Sequence, residues 1–209
     1  MKKLIAVITA ALIIALSLCA CGSDSSNSDR EDVSQETGTA IVSTNNKVDE
    51  AKKKKLMTWS INLNGVDFKL PCDASELKKI GFEYTESGSL ESKKYSIGVY
   101  PKNSEGKSLS SQLWNPTDQT LSYQDCKVGE IKIGLGEDLK AVLPEGLRFD
   151  EKITSKKIKK LYGEPDNYIK GKNYEVLKYE EGINQFIEFF LYTEERMQKY
   201  SSVAIQNFS

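Results

Sequence analysis

Between Gly22 and Ala51 the chain has no aromatic residue, and its only larger aliphatics are Val33, Ile41, Val42 and Val48. Ser, Thr, Asn, Asp and Glu fill most of the rest. A segment of this kind buries too little apolar surface to offset the entropy of ordering it. A core must therefore be drawn from Leu56 onward, and the stretch before it is expected to be a disordered tether. As a coil, roughly thirty such residues span on the order of 30 Å. Ahead of the tether stands Met1-Lys2-Lys3, then an apolar run over 4–18 broken only by Thr9 and Ser17. That run is shorter than the roughly 20 residues that a membrane-crossing helix needs. A basic start, a short apolar core and small residues after it predict a cleaved signal peptide over 1–20.

The end of that run, Leu18-Cys19-Ala20-Cys21, resembles the lipobox of bacterial lipoproteins. In that family a diacylglycerol thioether forms on the cysteine, and cleavage leaves the cysteine as the first mature residue. The resemblance implies acylation, palmitate included, at Cys21. Cys19 fits less well, because bulky Leu18 would sit at the cleavage junction. Two or more acyl chains hold a protein stably on a bilayer. The implied location is the extracytoplasmic face of a cell membrane, with membrane lipid as the first partner. Gly22 offers no acidic sorting residue, so inner and outer membranes both stay open. The Lys-rich, His-free composition leans toward a bacterium with one membrane.

Lys and Arg number 29 against 30 Asp and Glu, a formal net charge of -1. That balance argues against a non-specific nucleic-acid binder, which needs a basic face. Histidine is absent. This removes His-based acid–base chemistry, Ser-His-Asp and Cys-His arrangements, and the usual His-containing zinc sites. With Cys19 cleaved and Cys21 acylated, Cys72 and Cys126 remain, and two cysteines outside the cytoplasm invite a disulfide. Closing a loop of about 55 residues would contribute roughly 4 kcal/mol at most. Two separate buried thiols are the alternative. The run Lys52-Lys53-Lys54-Lys55 reads first as a solubilising boundary, with attraction to anionic lipid or wall polymer as its functional alternative.

Periodic patterning begins at Leu56. Trp59, Ile61 and Leu63 alternate with polar residues, Asn64-Gly65 is a hairpin turn, and Val66, Phe68 and Leu70 form the return strand before Pro71. Asp73 or Ser75 caps a short helix stopped by Gly81. Strands are expected at 82–85, 94–100, 108–114, 121–123 and 128–133. A second round follows, with Thr154 or Ser155 capping a helix over 156–162 and strands at 174–179, 185–192 and 203–207. The two halves echo each other, as Leu77-Lys78-Lys79-Ile80-Gly81 aligns with Ile158-Lys159-Lys160-Leu161 and Gly163. The pattern predicts an α+β fold of two tandem units, 56–136 and 137–209. Each would pack short helices on an antiparallel sheet of about four strands, behind a lipidated cysteine and tether over 21–55.

Several of these pieces together resemble uncharacterised tandem-domain lipoproteins of Clostridia and their relatives. They are the strand, Asn-Gly turn and strand before Leu70-Pro71-Cys72, then Ser75-Glu76-Leu77 through Gly81-Phe82, and Trp114-Asn115. Leu143-Pro144-Glu145-Gly146 and Tyr162-Gly163-Glu164-Pro165-Asp166 complete the set. More distantly, Gly163-Glu164-Pro165 after a short helix is similar to the domain shared by β-lactamase inhibitor proteins and small outer-membrane assembly lipoproteins. The resemblance implies a helical layer on a four-stranded sheet, used twice, with a protein-binding sheet face in the inhibitors and no catalytic residues. The inhibitors carry a disulfide in each domain, whereas the second half here has no cysteine, so their binding mode does not transfer residue by residue.

Motif chemistry is sparse. Gly134 and Gly136 have the spacing of a dinucleotide loop, but the third position is Leu139, so they read as a turn between halves. No phosphate loop, zinc motif or calcium loop is present, and no cofactor or metal is expected. Asp150/Glu151, Glu180/Glu181 and Glu194/Glu195 read as solvated loop charge rather than paired catalytic acids. In Phe186-Ile187-Glu188-Phe189-Phe190-Leu191-Tyr192, alternation turns Ile187, Phe189 and Leu191 inward and leaves Phe186, Phe190 and Tyr192 on the other face. With Tyr100 they form a candidate binding face, unless the two halves close on each other and bury these rings. The expected function is a non-enzymatic binding or adaptor module of the cell envelope, with an envelope protein or wall component as partner and no nucleic acid. A glycan-active hydrolase or transferase using paired carboxylates is one alternative, and a small solute-binding lipoprotein is another. Oligomeric state is not readable from the sequence.

Overall fold

The computed structural model describes residues 41–43, 49–149 and 153–209. The expected signal peptide, Cys21 and the pair Asp150/Glu151 lie outside the described residues.

Two elements fall inside the stretch expected to be structureless, which corrects the tether's boundary. β1 (Ile41–Ser43) pairs with a later strand, and α1 (Glu50–Leu56) follows it. A seven-residue lysine-rich helix is marginal alone, so packing must hold it. Asp49 caps it by accepting from the Lys52 amide at 3.2 Å. Leu56 is fully buried. The Lys53 ammonium, buried except for 9% of its side chain, reaches Asp166 at 2.8 Å.

The next elements follow the sequence pattern closely. β2 (Ser60–Leu63) and β3 (Val66–Lys69) form the Asn64-Gly65 hairpin, both turn residues taking positive φ, 51° and 88°. β4 (Cys72–Asp73) leads into a 3-10 helix over Ala74–Ile80, where an ordinary helix was expected, and Gly81 ends it at φ 82°. β5 (Ser89–Leu90) comes next. The strands expected over 82–85 and 94–100 are replaced by the isolated bridges Glu83–Lys102 and Tyr95–Trp114. Asn115 pins this irregular region, donating to the carbonyls of Leu90, Glu91 and Gln119 and accepting from Thr117. β6 (Ser110–Trp114), β7 (Leu121–Ser122) and β8 (Lys127–Gly134) complete the first half.

In the second half, β9 (Ala141–Leu143) and β10 (Leu147–Arg148) precede α2 (Ser155–Tyr162), capped by Thr154. β11 (Asn167–Lys170), β12 (Tyr174–Gly182), β13 (Gln185–Tyr192) and β14 (Ser202–Asn207) then form a meander. Where α1 meets the end of α2, a Cβ on Gly163 would stand 2.9 Å from the Asp49 side chain, so the close approach requires glycine.

All pairings are antiparallel, and the fold is α+β with sheet predominating. The large sheet runs β1-β11-β12-β13-β14-β8. β8 carries β6 on one edge, while its other edge takes β14 at residues 130–134 and β4 at 127–128. A smaller sheet runs β10-β9-β2-β3, and β5 pairs with β7. The expected separation at 136/137 is not what the pairing follows. β8 joins β14 from Ser202↔Gly134 to Gln206↔Glu130, and β2 joins β9, so both sheets mix strands from both halves. The described residues accordingly cluster as one compact unit. One apolar cluster lies beneath: Val128, Ile131 and Ile133 of β8, Leu177, Ile187, Phe189, Val203 and Ile205 of the other long strands, and Leu56, Ile61, Leu63, Leu77 and Ile158 opposite them.

Asp166 is the polar joint of this assembly, since it also accepts from the Glu180 amide at 2.7 Å. Removing one partner of a largely buried ion pair strands the other charge, at about 3–5 kcal/mol. Asp166→Ala should therefore lower urea-unfolding stability by about 3 kcal/mol, and Lys53→Met by less, because the Asp166 carboxylate it strands is partly solvated and keeps the Glu180 amide.

Candidate functional site: the outer face of the large sheet

Alternation in β13 places its residues as the sequence implies. Ile187 and Phe189 are fully buried and Leu191 nearly so, while Phe186, Glu188, Phe190 and Tyr192 stand half-buried on the opposite face. Among the described residues, no layer formed by the other half covers them, because the halves are joined edge to edge in one sheet. The register then sets three rows across this face. Val176, Phe190, Ser202 and Gly134 form one; Lys178, Glu188, Ala204, Lys132 and Ser110 the next; Glu180, Phe186, Gln206, Glu130 and Gln112 the third. β14 contributes the small residues Ser202 and Ala204, so its lane is a shallow trough between bulkier strands.

Aromatic clusters stand at both ends of the trough. On β12 and β13, Tyr174 and Phe190 stack at 5.4 Å with planes 10° apart, and Tyr192 meets Phe190 edge-on at 5.1 Å. Phe186 lies on the same face with the Lys178 ammonium 4.4 Å from its ring centre. At the other end, Phe208 meets Tyr95 at 4.5 Å and Trp114 at 6.1 Å. Phe208 also covers Gly129, where a Cβ would fall 2.0 Å from its ring. Gly129 is the extra residue of a bulge in β8, opposite the step from Gln112 to Leu113. Of the residues expected on the face, Phe190 and Tyr192 are brought together, and Phe186 shares the face two rows from Phe190 without a ring contact to either. Tyr100 is not among them: it sits, exposed, in the irregular segment between β5 and β6 and makes no ring contact with them. The Phe208 cluster was missed, since its only sequence signal is a lone glycine inside a strand.

Two carboxylates share the centre. Glu130 is held above the usual carboxylate range by burial, with the charge of Glu188 adding to the shift and Lys132 opposing it. At the Gly134 end, a cleft of about 500 Å³ is lined by Ser110, Lys132, Glu137, Lys199 and Ser202. Burial raises Glu137 too, against the Gly134 amide and Lys132. Gly134 and Gly136 flank a turn, with the Gly136 amide donating to the Lys199 carbonyl at 3.0 Å. Glu180 is engaged by Lys178 and Asn167, and Glu194 by Arg196. Among the described residues there is no cluster able to hold a metal, and no helix is long and apolar enough to cross a membrane.

Cys72 and Cys126 are free thiols in the structure, not the expected disulfide. The strand register explains this: Cys72 lies opposite Val128, and Cys126 accepts from the Ala74 amide, so the two cysteines do not face each other. Burial pushes Cys72 up to about 12 and Cys126 to about 11. No protein-family model, curated protein or solved structure matches the chain.

A thiol whose folded pKa is raised stabilises the fold below its unfolded pKa, and that stability is lost as pH rises through the folded value. Folding stability should therefore fall between about pH 9 and about pH 12. At pH 8, alkylation of both cysteines by iodoacetamide should be slow until denaturant is added, as mass spectrometry would record.

Proposed function

We propose that this chain is an extracytoplasmic lipoprotein, held on the membrane through acylated Cys21, that binds another envelope component through the outer face of its large sheet. It acts as an adaptor and carries out no catalysis. The observation behind this reading is the face itself. Aromatics stand at both ends of this sheet face, around a centre where burial disfavours the Glu130 carboxylate and the charge of Glu188, two strands away, adds to the shift. Aromatic residues are enriched at protein interfaces and carry much of their energy. A carboxylate disfavoured by burial and a like charge lowers the stability of the free protein, which fits a surface completed by a partner. The lipobox-like Leu18-Cys19-Ala20-Cys21 supports the proposed location.

A second reading has the same two carboxylates behind it. Glu130 and Glu188 on one face could serve as an acid and base pair acting on an envelope glycan, in place of the adjacent pairs named above.

Affinity capture with crosslinking in the native envelope separates the two. The Phe186→Ser/Phe190→Ser/Tyr192→Ser variant should keep cooperative unfolding, at a stability loss of roughly 1–3 kcal/mol, and lose its captured partner. Loss of cooperative unfolding would instead make these rings part of the core. Glycan cleavage abolished by Glu130→Gln or Glu188→Gln would favour the enzyme.

A further inference from the structure

The two lysine-rich stretches of the sequence, Lys52-Lys53-Lys54-Lys55 and Lys156-Lys157-Ile158-Lys159-Lys160, lie far apart in the chain but pack side by side as α1 and α2. Packing uses one side of each helix: Lys53 and Leu56 of α1 are buried, as are Ile158 and Tyr162 of α2. Most carboxylates near them are taken up, Asp49 by Lys52, Glu145 by Lys55, Glu164 by Lys159 and Asp166 by Lys53, with Glu50 in the first turn of α1 the exception. Lys54, Lys156, Lys157 and Lys160 remain exposed, with no carboxylate partner among the described residues. On β11, Tyr168 turns toward α2, where the Lys159 ammonium lies 3.9 Å from its ring centre. Alternation places exposed Lys170 on that same side, and Lys172 follows in the β11–β12 turn. Among the described residues, a protein with a net charge of -1 thus gathers an excess of positive charge on one surface, against Glu50 and Glu175.

β1 runs antiparallel along β11 with Ile41 opposite Lys170. Twenty residues before Ile41 is Cys21, so the segment that carries the anchor reaches the domain beside Lys170. We propose that the α1–α2 lysine surface docks on anionic lipid headgroups of the bilayer that holds Cys21. This rests on the acylation reading only for which membrane it meets. Basic residues close to an anionic bilayer each contribute about 1 kcal/mol, and an acyl chain with a basic patch anchors where either alone is marginal. Docking by this surface would orient the domain and leave the outer sheet face, which lies on the opposite side of the sheet from α2, free for its partner.

Vesicle co-sedimentation tests the surface apart from both acylation and partner capture. The chain from residue 21 onward, carrying Cys21→Ser, should sediment with phosphatidylcholine vesicles containing about 30% phosphatidylglycerol and not with phosphatidylcholine alone. Binding should fall steeply as salt is raised to about 0.5 M. Lys54→Glu/Lys157→Glu/Lys160→Glu should weaken partitioning on the order of a hundredfold. Lys69→Glu/Lys94→Glu/Lys140→Glu, exposed lysines elsewhere, should leave it within about threefold. Circular dichroism melting confirms that each variant is folded. Should the α1–α2 variant unfold, the charge-neutral Lys54→Gln/Lys157→Gln/Lys160→Gln version reports instead, with the same direction. Equal binding by the two lysine variants, or no binding to the anionic vesicles, overturns the proposal. Binding to polyphosphate but not to vesicles overturns it in favour of an anionic wall polymer.

Discussion

The pairing of β8 with β14 is the constraint on which the rest of the molecule depends. Five residue pairs, Ser202↔Gly134 through Gln206↔Glu130, stitch the last strand of the chain to a strand from its middle. Because the seam is edge to edge, the two halves cannot close face to face. Their inner faces merge into one core, with Val128, Ile131 and Ile133 beside Val203 and Ile205. Their outer faces merge as well, into a broad surface that neither half could form alone. Gln206, Ala204 and Ser202 lie at its centre because β14 sits between β13 and β8.

The two sides of this sheet are under different physical demands. The inner side is apolar and closely packed, and its buried polar groups are satisfied, as with Tyr179 donating to the Gly163 carbonyl and Tyr84 bonded to Ser111. The outer side holds stacked rings, small side chains and a carboxylate that burial and a neighbouring charge disfavour. A free-standing sheet face optimised for stability would be polar and charge-balanced. The departures cluster on one surface, which fits the proposed binding role.

How much of this the sequence carries depends on how local each cause is. The Asn64-Gly65 hairpin, the strand over 185–192 and the Thr154-capped helix each follow from residues within a few positions of one another. What was not legible depends on distant partners. α1 exists because Lys53 finds Asp166 and Leu56 finds the core, and no local pattern announces either. The single-sheet arrangement needs a pairing between 130–134 and 202–206, whereas an internal echo naturally reads as two separate units. Gly129 carries meaning only once Phe208 is seen lying over it. Tyr100 looked like part of an aromatic face because its segment alternates, yet that segment is held by Asn115 and isolated bridges instead of a strand ladder.

The central claim is that the uncovered outer face meets the partner. A photo-crosslinking residue at Ala204, in the middle of the trough, tests this most directly in cells when compared with one at Asn62 on the small sheet. The account predicts a discrete crosslinked product from position 204, lost when Phe186, Phe190 and Tyr192 are changed, and none from position 62. A product from position 62 with nothing at 204 would contradict it.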